Sequence, residues 1–186
     1  MAETRKSHDR RVREDWYGKY APADKGGIDL GCQLDPIHPG RDNWIRYDWT
    51  LNSENDAQHC SNIADESQAC CYASHILEHL RDPGLAIRNW WRILQPGGCL
   101  IVCVPSRDLY EKRTELPSRW NGEHKTFWLL ERDEPPFTRS LFHEVTGNTP
   151  GGQLQLLRVL DEGWVSNGDQ HSGGEYSLEA VIRKLS

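Results

Sequence analysis

Residues 68–105 read "QACCYASHILEHLRDPGLAIRNWWRILQPGGCLIVCVP". The opening "QACCYAS", 68–74, is small and apolar, as a buried central strand requires. Asp82 is a natural helix N-cap, and Pro83 suits the first helical position, where its missing N–H costs nothing. Ile87, Trp90, Trp91 and Leu94 then recur at i, i+3, i+4 and i+7, one apolar stripe turned toward a core. "QPGG", 95–98, stops the helix. "CLIVCV", 99–104, is apolar throughout, as expected of a parallel strand covered on both faces. Strand, helix, glycine turn and strand make a βαβ unit, so the chain reads as α/β.

The turn inside this unit has a second reading. In "SHILEHLRDP", 74–83, His75, Glu78 and His79 spell H-x-x-E-H, the inverted zinc-hydrolase signature. Two histidines at i, i+4 share a zinc ion when both project from one face of a continuous helix. The strongest helix start, Asp82-Pro83, comes after His79, and a residue before proline is pushed out of helical geometry. No distinctive third ligand accompanies the motif. The expectation is therefore a strand-to-helix turn without a metal, with a zinc hydrolase as the lesser alternative.

Working outward, "GGIDLG", 26–31, is a short buried strand ending at glycine. In "CQLDPIHPGRDN", 32–43, Pro36, Pro39 and Gly40 leave no room for a regular helix. "WIRYDW", 44–49, alternates as a second strand ending near Asp48. Downstream, residues 106–128 form a long polar segment of the kind that is usually functional. "PFTRSLFHEVTGN", 136–148, reads as a helix with Phe137, Leu141 and Val145 inward and Gly147 as its C-terminal cap. "QLQLLRVL" and "EYSLEAVIRK" read as closing strands, the latter from the alternation of Tyr176, Leu178, Ala180 and Ile182.

The bulk properties narrow the function. The chain has 186 residues, enough for one domain with a sizeable core. A net charge of -6 argues against nucleic acid as a partner. Basic residues gather at the start (Arg5, Lys6, Arg10, Arg11 and Arg13), which reads as a solvated, partly flexible tail. No stretch approaches the about 20 apolar residues of a membrane span, and the charged start is no secretory signal. Six cysteines form no C-x-x-C pair, so buried thiols in a reducing, cytoplasmic setting are expected. Of the eight tryptophans, Trp90 and Trp91 read as core, whereas Trp16, Trp49, Trp120 and Trp128 sit in polar company and could line a pocket.

The stretch 72–105 also resembles, almost position by position, the middle of class I S-adenosylmethionine-dependent methyltransferases. There a buried strand runs into a "hvLEHl.dP" turn, a helix ending in "R.LkPGG", and an apolar strand ending in proline. With "GIDLGCQLDP" upstream, the resemblance spans nearly the whole chain and is nearest to small bacterial members of the methyltransferase type 11 kind. It implies a Rossmann-like, mostly parallel sheet with an antiparallel C-terminal strand, helices on both faces and a shortened first βα unit. It divides the chain into an N-terminal segment, 1–24, and one domain, 25–186, with 105–135 inserted on the substrate side.

The resemblance carries a site with it. Asp29 opens the glycine loop, and Gly31, Cys32 and Gln33 stand where the family has G-C-G. Gln33 adds bulk where the backbone should approach the cofactor. Asp48, followed by Trp49, occupies the end of the second strand, where a carboxylate can accept ribose hydroxyls as in dinucleotide sites. Asp56-Ala57 matches the family's "DA" step, commonly on the adenine amino group. Ser74 and His75 fall at the carboxyl edge of the sheet. In the segment after Pro105, "DLYE" and "PSRWNGEHK" resemble a stretch of the small relatives. His124 is expected as general base, with Glu111 beside it in catalysis. Asp108, Tyr110, Trp120, Asn121 and Lys125 are expected to hold the acceptor.

The reading from sequence is a methyltransferase that uses S-adenosylmethionine on a small polar, sugar-like acceptor, without nucleic acid or membrane. A homodimer stays open. The second alternative is a catalytically inactive cofactor-binding or scaffold protein of the same fold.

Overall fold

A computed structural model describes residues 3–37, 41–166 and 172–185 of the chain. Its centre is a six-stranded sheet made of β1 (Ile28–Leu30), β2 (Ile45–Tyr47), β3 (Gln68–Ser74), β4 (Leu94–Pro105), β7 (Gly152–Leu160) and β8 (Ser177–Lys184). The spatial order is β2-β1-β3-β4-β8-β7. The first four strands run parallel, while β8 is antiparallel to both β4 and β7. This is the mostly parallel sheet with an antiparallel C-terminal strand that the sequence implies. β3 begins and ends where the apolar run does. β2 keeps only the centre of its alternating stretch, because it is an edge strand with Ile45 and Arg46 exposed and Tyr47 turned inward.

The two faces of the sheet are covered differently. On one lies α4 (Pro83–Ile93), capped at Asp82, whose side chain accepts from the Leu85 N–H at 2.9 Å. Its stripe Ile87, Trp90 and Trp91 packs on Leu100, Val102 and Val104 of β4. Burying such side chains contributes about 1.5–3 kcal/mol each.

The other face exposes Cys70, Tyr72, Cys99, Ile101 and Cys103, and it must also be covered. No helix follows β1 or β2 among the described residues. The basic start of the chain does this work, which corrects the expectation of a solvated tail. It forms α1 (Glu3–Lys6), α2 (His8–Arg13) and α3 (Trp16–Tyr20). Arg11 is buried, ion-paired with Glu179 at 3.1 Å, bonded to the Tyr72 hydroxyl at 3.0 Å and stacked over the Trp16 ring at 4.2 Å. Opposite charge and aromatic faces on the sheet make a buried arginine tolerable, a pairing invisible from the local basic run.

Two further expectations shift. The helix drawn over 136–148 begins later, as α5 (Leu141–Gly147), capped by the Ser140 hydroxyl accepting from the His143 N–H at 3.1 Å. Phe137 precedes it, and Thr138–Ser140 form β6, paired in parallel with β5 (Phe127–Leu129). Its C-cap is Asn148, and Gly147 lies in the last turn. Pairing with β5 holds Thr138–Ser140 extended, so the helix starts only after the Ser140 cap. All six cysteines are buried free thiols. Pro39 and Gly40 lie outside the described residues.

Candidate functional site at the carboxyl ends of the parallel strands

β1, β2, β3 and β4 all deliver their carboxyl ends to one cleft of about 1120 Å³. Ligands bind at such edges because the loops leaving the strands converge there with free backbone groups. One half of the cleft is built by the loops after β1, β2 and β3. The other is built by the Leu77–His79 turn and the segment after β4.

In the first half, Gly31 turns the chain at φ +71°, and a Cβ there would stand 2.6 Å from the Ile76 side chain. Gly31 is therefore required by the close approach of the β3 turn. Gln33 also adopts the left-handed region, φ +42°, with its side chain exposed. The backbone thus keeps a conformation suited to glycine, and Gln33 itself lines the cleft. Its N–H donates to Asp48 Oδ2 at 3.1 Å, and Asp48 Oδ1 accepts from the Thr50 N–H at 2.8 Å. Asp48 is buried at the end of β2 yet lines the cleft, together with Cys32, the exposed Trp49, Asp56, Ala57, Ser74 and His75. Asp56 accepts from the Gln58 N–H at 2.8 Å and pairs with His59 at 2.7 Å. Burial, the largest single influence, raises its carboxyl, but His59 and the N–H donors together outweigh it and hold Asp56 below the ordinary carboxylate value.

Asp29 is not in this cleft. It points beneath the loop, where the Ile37 N–H donates to Oδ2 at 2.6 Å. Burial, reinforced by Asp35, pushes its carboxyl up to about 7. Asp29 shapes the glycine loop from behind.

The second half is built from buried charge. His124, on the segment leading into β5, is 6 % exposed. Its Nδ1 lies 2.5 Å from Glu111 Oε1, and Glu111 Oε2 accepts from the Ser118 hydroxyl at 2.5 Å. Glu111 is 1 % exposed and stands behind His124, outside the cleft lining. Glu78 is wholly buried, and its Oε1 faces His75 Nδ1 at 3.7 Å and the Nε2 atoms of His79 and His124 at 3.9 Å each. His75 turns at φ +53° at the end of β3, and its Nε2 meets the Ser177 hydroxyl at 2.8 Å. Residues 77–79 form a single 3-10 turn, so His75 and His79 share no helical face. The imidazole that joins His79 comes from far along the chain. Burial, then His124, Lys125 and His75, pushes the His79 imidazole down to about 4.

Aromatic rings wall this half: Tyr110 lies 4.8 Å from Tyr176 and 5.8 Å from His124, centroid to centroid. Asn121 and Lys125 also line the cleft, the Lys125 ammonium donating to the His79 carbonyl at 2.5 Å. Asp108 and Trp120 do not. Asp108 is exposed and paired with Arg107 at 2.9 Å, and the Trp120 indole donates to the Tyr110 carbonyl at 2.7 Å, bracing the wall from outside. Trp16 and Trp128 are core, so of the four candidate pocket tryptophans Trp49 alone reaches the cleft. Thr4 and Tyr176 line it without any sequence signal. Thr4 arrives because its N–H and hydroxyl donate to Asp35 at 3.2 and 2.5 Å, and Tyr176 because β8 is pinned beside β4. No helix among the described residues is long and apolar enough to cross a membrane.

Residues 42–102 match a family of methyltransferase domains. No curated protein matches the chain. Among solved structures, a [4+2]-cyclase, SpnF, is similar at 14 % identity and TM-score 0.59, over 94 % of this chain and 80 % of that one. A chain from the complex of the Haloferax volcanii Trm112 methyltransferase activator with a methyltransferase aligns at 11 % identity and TM-score 0.61, covering 98 % and 94 %. A SAM-dependent methyltransferase from Thermotoga maritima aligns at 15 % identity and TM-score 0.51, covering 95 % and 98 %. At such identities the structural likeness shows the fold, and the domain match adds the sequence relationship. Residues 42–102 are thus related in sequence to methyltransferase domains, and the chain over nearly its whole length has the fold of these solved structures.

Proposed function

We propose that this protein transfers a methyl group from S-adenosylmethionine to a small polar, sugar-like acceptor. The observation that carries the reading is one cleft with two unlike halves. A loop-built half presents Asp48 at the carboxyl end of β2 and Asp56 on the loop beyond it, and a buried His124–Glu111 pair faces it. The residues present suit the cofactor. Asp48 would accept the ribose hydroxyls and Asp56 the adenine amino group. The backbone at Gln33 keeps the left-handed turn of a glycine loop despite the lost glycine, with its side chain on the cleft. Carboxylates at 35, 48, 56 and 78 make the lining negative, which favours a cationic ligand.

S-adenosylmethionine, when bound, supplies an electrophilic methyl group on a sulfonium sulfur. The chain's own part is to align the acceptor, exclude water and manage a proton. Tyr110 and Tyr176 offer ring faces to the apolar side of a sugar or ring, and Asn121 and Lys125 offer donors to its polar edge. Glu111 holds Nδ1 of His124, so Nε2 is the atom that engages the acceptor and takes up its proton.

Calorimetric titration of EDTA-treated protein with S-adenosylmethionine tests the reading. Micromolar, one-to-one binding is expected. Absence of binding would refute it, and binding without turnover on any polyol, sugar or amine acceptor would instead assign a cofactor-binding scaffold.

A further inference from the structure

Three side chains in the acceptor half are arranged for more than proton transfer. One oxygen of Glu78 and one ring nitrogen each of His79 and His124 lie within 4.8 Å of one another. His124 Nδ1 is taken up by Glu111 at 2.5 Å, which directs Nε2 toward Glu78 Oε1, 3.9 Å away. His79 Nε2 approaches the same oxygen at the same distance. Electron-rich atoms converging on one point in a buried setting call for a cation between them. Ligands about 2.1 Å from a tetrahedral ion stand about 3.4 Å apart, so small shifts of the Glu78 carboxylate and the partly exposed His79 close the set.

The surroundings match a metal centre as well. A ligating histidine usually gives its other nitrogen to a carboxylate that orients it, and here Glu111 does so, held in turn by the Ser118 hydroxyl. All three ligands line the cleft, so the remaining coordination positions open toward the acceptor. Two imidazoles and one carboxylate suit a divalent first-row ion better than magnesium or calcium, which prefer all-oxygen sets.

We propose that Glu78, His79 and His124 bind one divalent transition-metal ion of the zinc, cobalt or manganese class, and that its open positions take a hydroxyl oxygen of the acceptor. The acceptor clause rests on the methyltransferase reading; the ion site does not. With the ion in place, Nε2 of His124 is a ligand. The bound hydroxyl then loses its proton to solvent, because the cation lowers its pKa. Its oxygen forms the new bond to the methyl carbon as the carbon–sulfur bond breaks, and the electron pair stays on sulfur to leave a neutral thioether.

The test uses the full chain after EDTA treatment, titrated with zinc chloride and, separately, cobalt chloride. One equivalent of either ion is expected, with the visible bands of four- or five-coordinate cobalt. His79→Gln and His124→Gln should each weaken binding at least tenfold, while His59→Gln, at an exposed pair away from the cluster, should not. No binding, or binding unchanged in both cluster variants, overturns the proposal. Should H124Q fail to fold, wild-type cobalt protein decides: paramagnetically shifted proton signals from two imidazoles support the site, and an octahedral all-oxygen spectrum overturns it. Titration with S-adenosylmethionine runs in parallel. Ion binding without cofactor binding keeps the ion site and removes the methyltransferase reading; cofactor binding without the ion does the reverse.

Discussion

The two halves of the cleft are made of opposite materials. In the cofactor half, one carboxylate at the end of β2 and one on the loop after it are held by N–H groups, Asp48 by Gln33 and Thr50, Asp56 by Gln58. Two of those contacts span two residues and the third joins the adjacent loops after β1 and β2, and both carboxylates line the cleft. In the acceptor half, the decisive groups are buried side chains brought together from distant segments: Glu78 and His79 from the turn after β3, Glu111 from the turn after β4, His124 from the approach to β5. Local hydrogen bonding tolerates substitution at its rim, whereas a buried charge cluster fails when one member is removed, because the others are left uncompensated.

That contrast can be broken most sharply at His124. His124→Ala should slow turnover about 10²–10⁴-fold, the usual worth of a positioned group acting on the acceptor, with cofactor affinity unchanged. Steady-state rates beside calorimetry check it; loss of cofactor binding as well would merge the two halves into one structural unit.

Asp29 tests the loop-built half from beneath. Its carboxyl is raised by burial from 3.8 to about 7. Below the lower value it is protonated whether folded or not. As pH rises the folded protein resists ionising it, so stability falls until pH passes about 7, by at most about 4 kcal/mol. Asp29→Asn keeps an acceptor for the Ile37 N–H and has no proton to lose, so its urea midpoint should vary less with pH across that window. A slope identical to wild type would show that Asp29 ionises freely.

Asp48→Ala should weaken S-adenosylmethionine binding by about 1–3 kcal/mol, the range for a lost charged hydrogen bond. Unchanged affinity would remove Asp48 from the site. The smallest effect belongs to Gln33→Gly, which relieves a left-handed non-glycine residue at about 1 kcal/mol. Thermal stability should rise slightly and cofactor affinity should not fall; a weaker complex would mean that the Gln33 amide itself contacts the ligand.

The legibility of these regions in the sequence follows the same division. In the β3–α4–β4 unit the strand Gln68–Ser74 and the helix start at Asp82-Pro83 could be read directly, because strand composition, cap and apolar stripe are local signals that agree. The far end shifted, since α4 stops at Ile93 and β4 already begins at Leu94 and runs through the "QPGG" stretch. Gly31, Asp48, Ser74 and His75 could be placed by their position at strand ends, Asp56 by the resemblance to the family's "DA" step, and each lines the cleft. Asp29 and Trp128 were misplaced, since a one-residue step along a strand reverses which face a side chain reaches. The N-terminal segment was misread for another reason: a basic run looks solvated until its partner, Glu179, is brought against it.

By itself the sequence determined the α/β class, the parallel core and the edge at which a ligand would sit, because hydrophobic period and helix capping act over a few residues. Only the tertiary structure decided that the chain's own beginning closes one face of the sheet, and that His124 meets Glu78 and His79. Both depend on pairing charges across long separations, which no local pattern encodes, and which becomes favourable only once the sheet has brought them out of water.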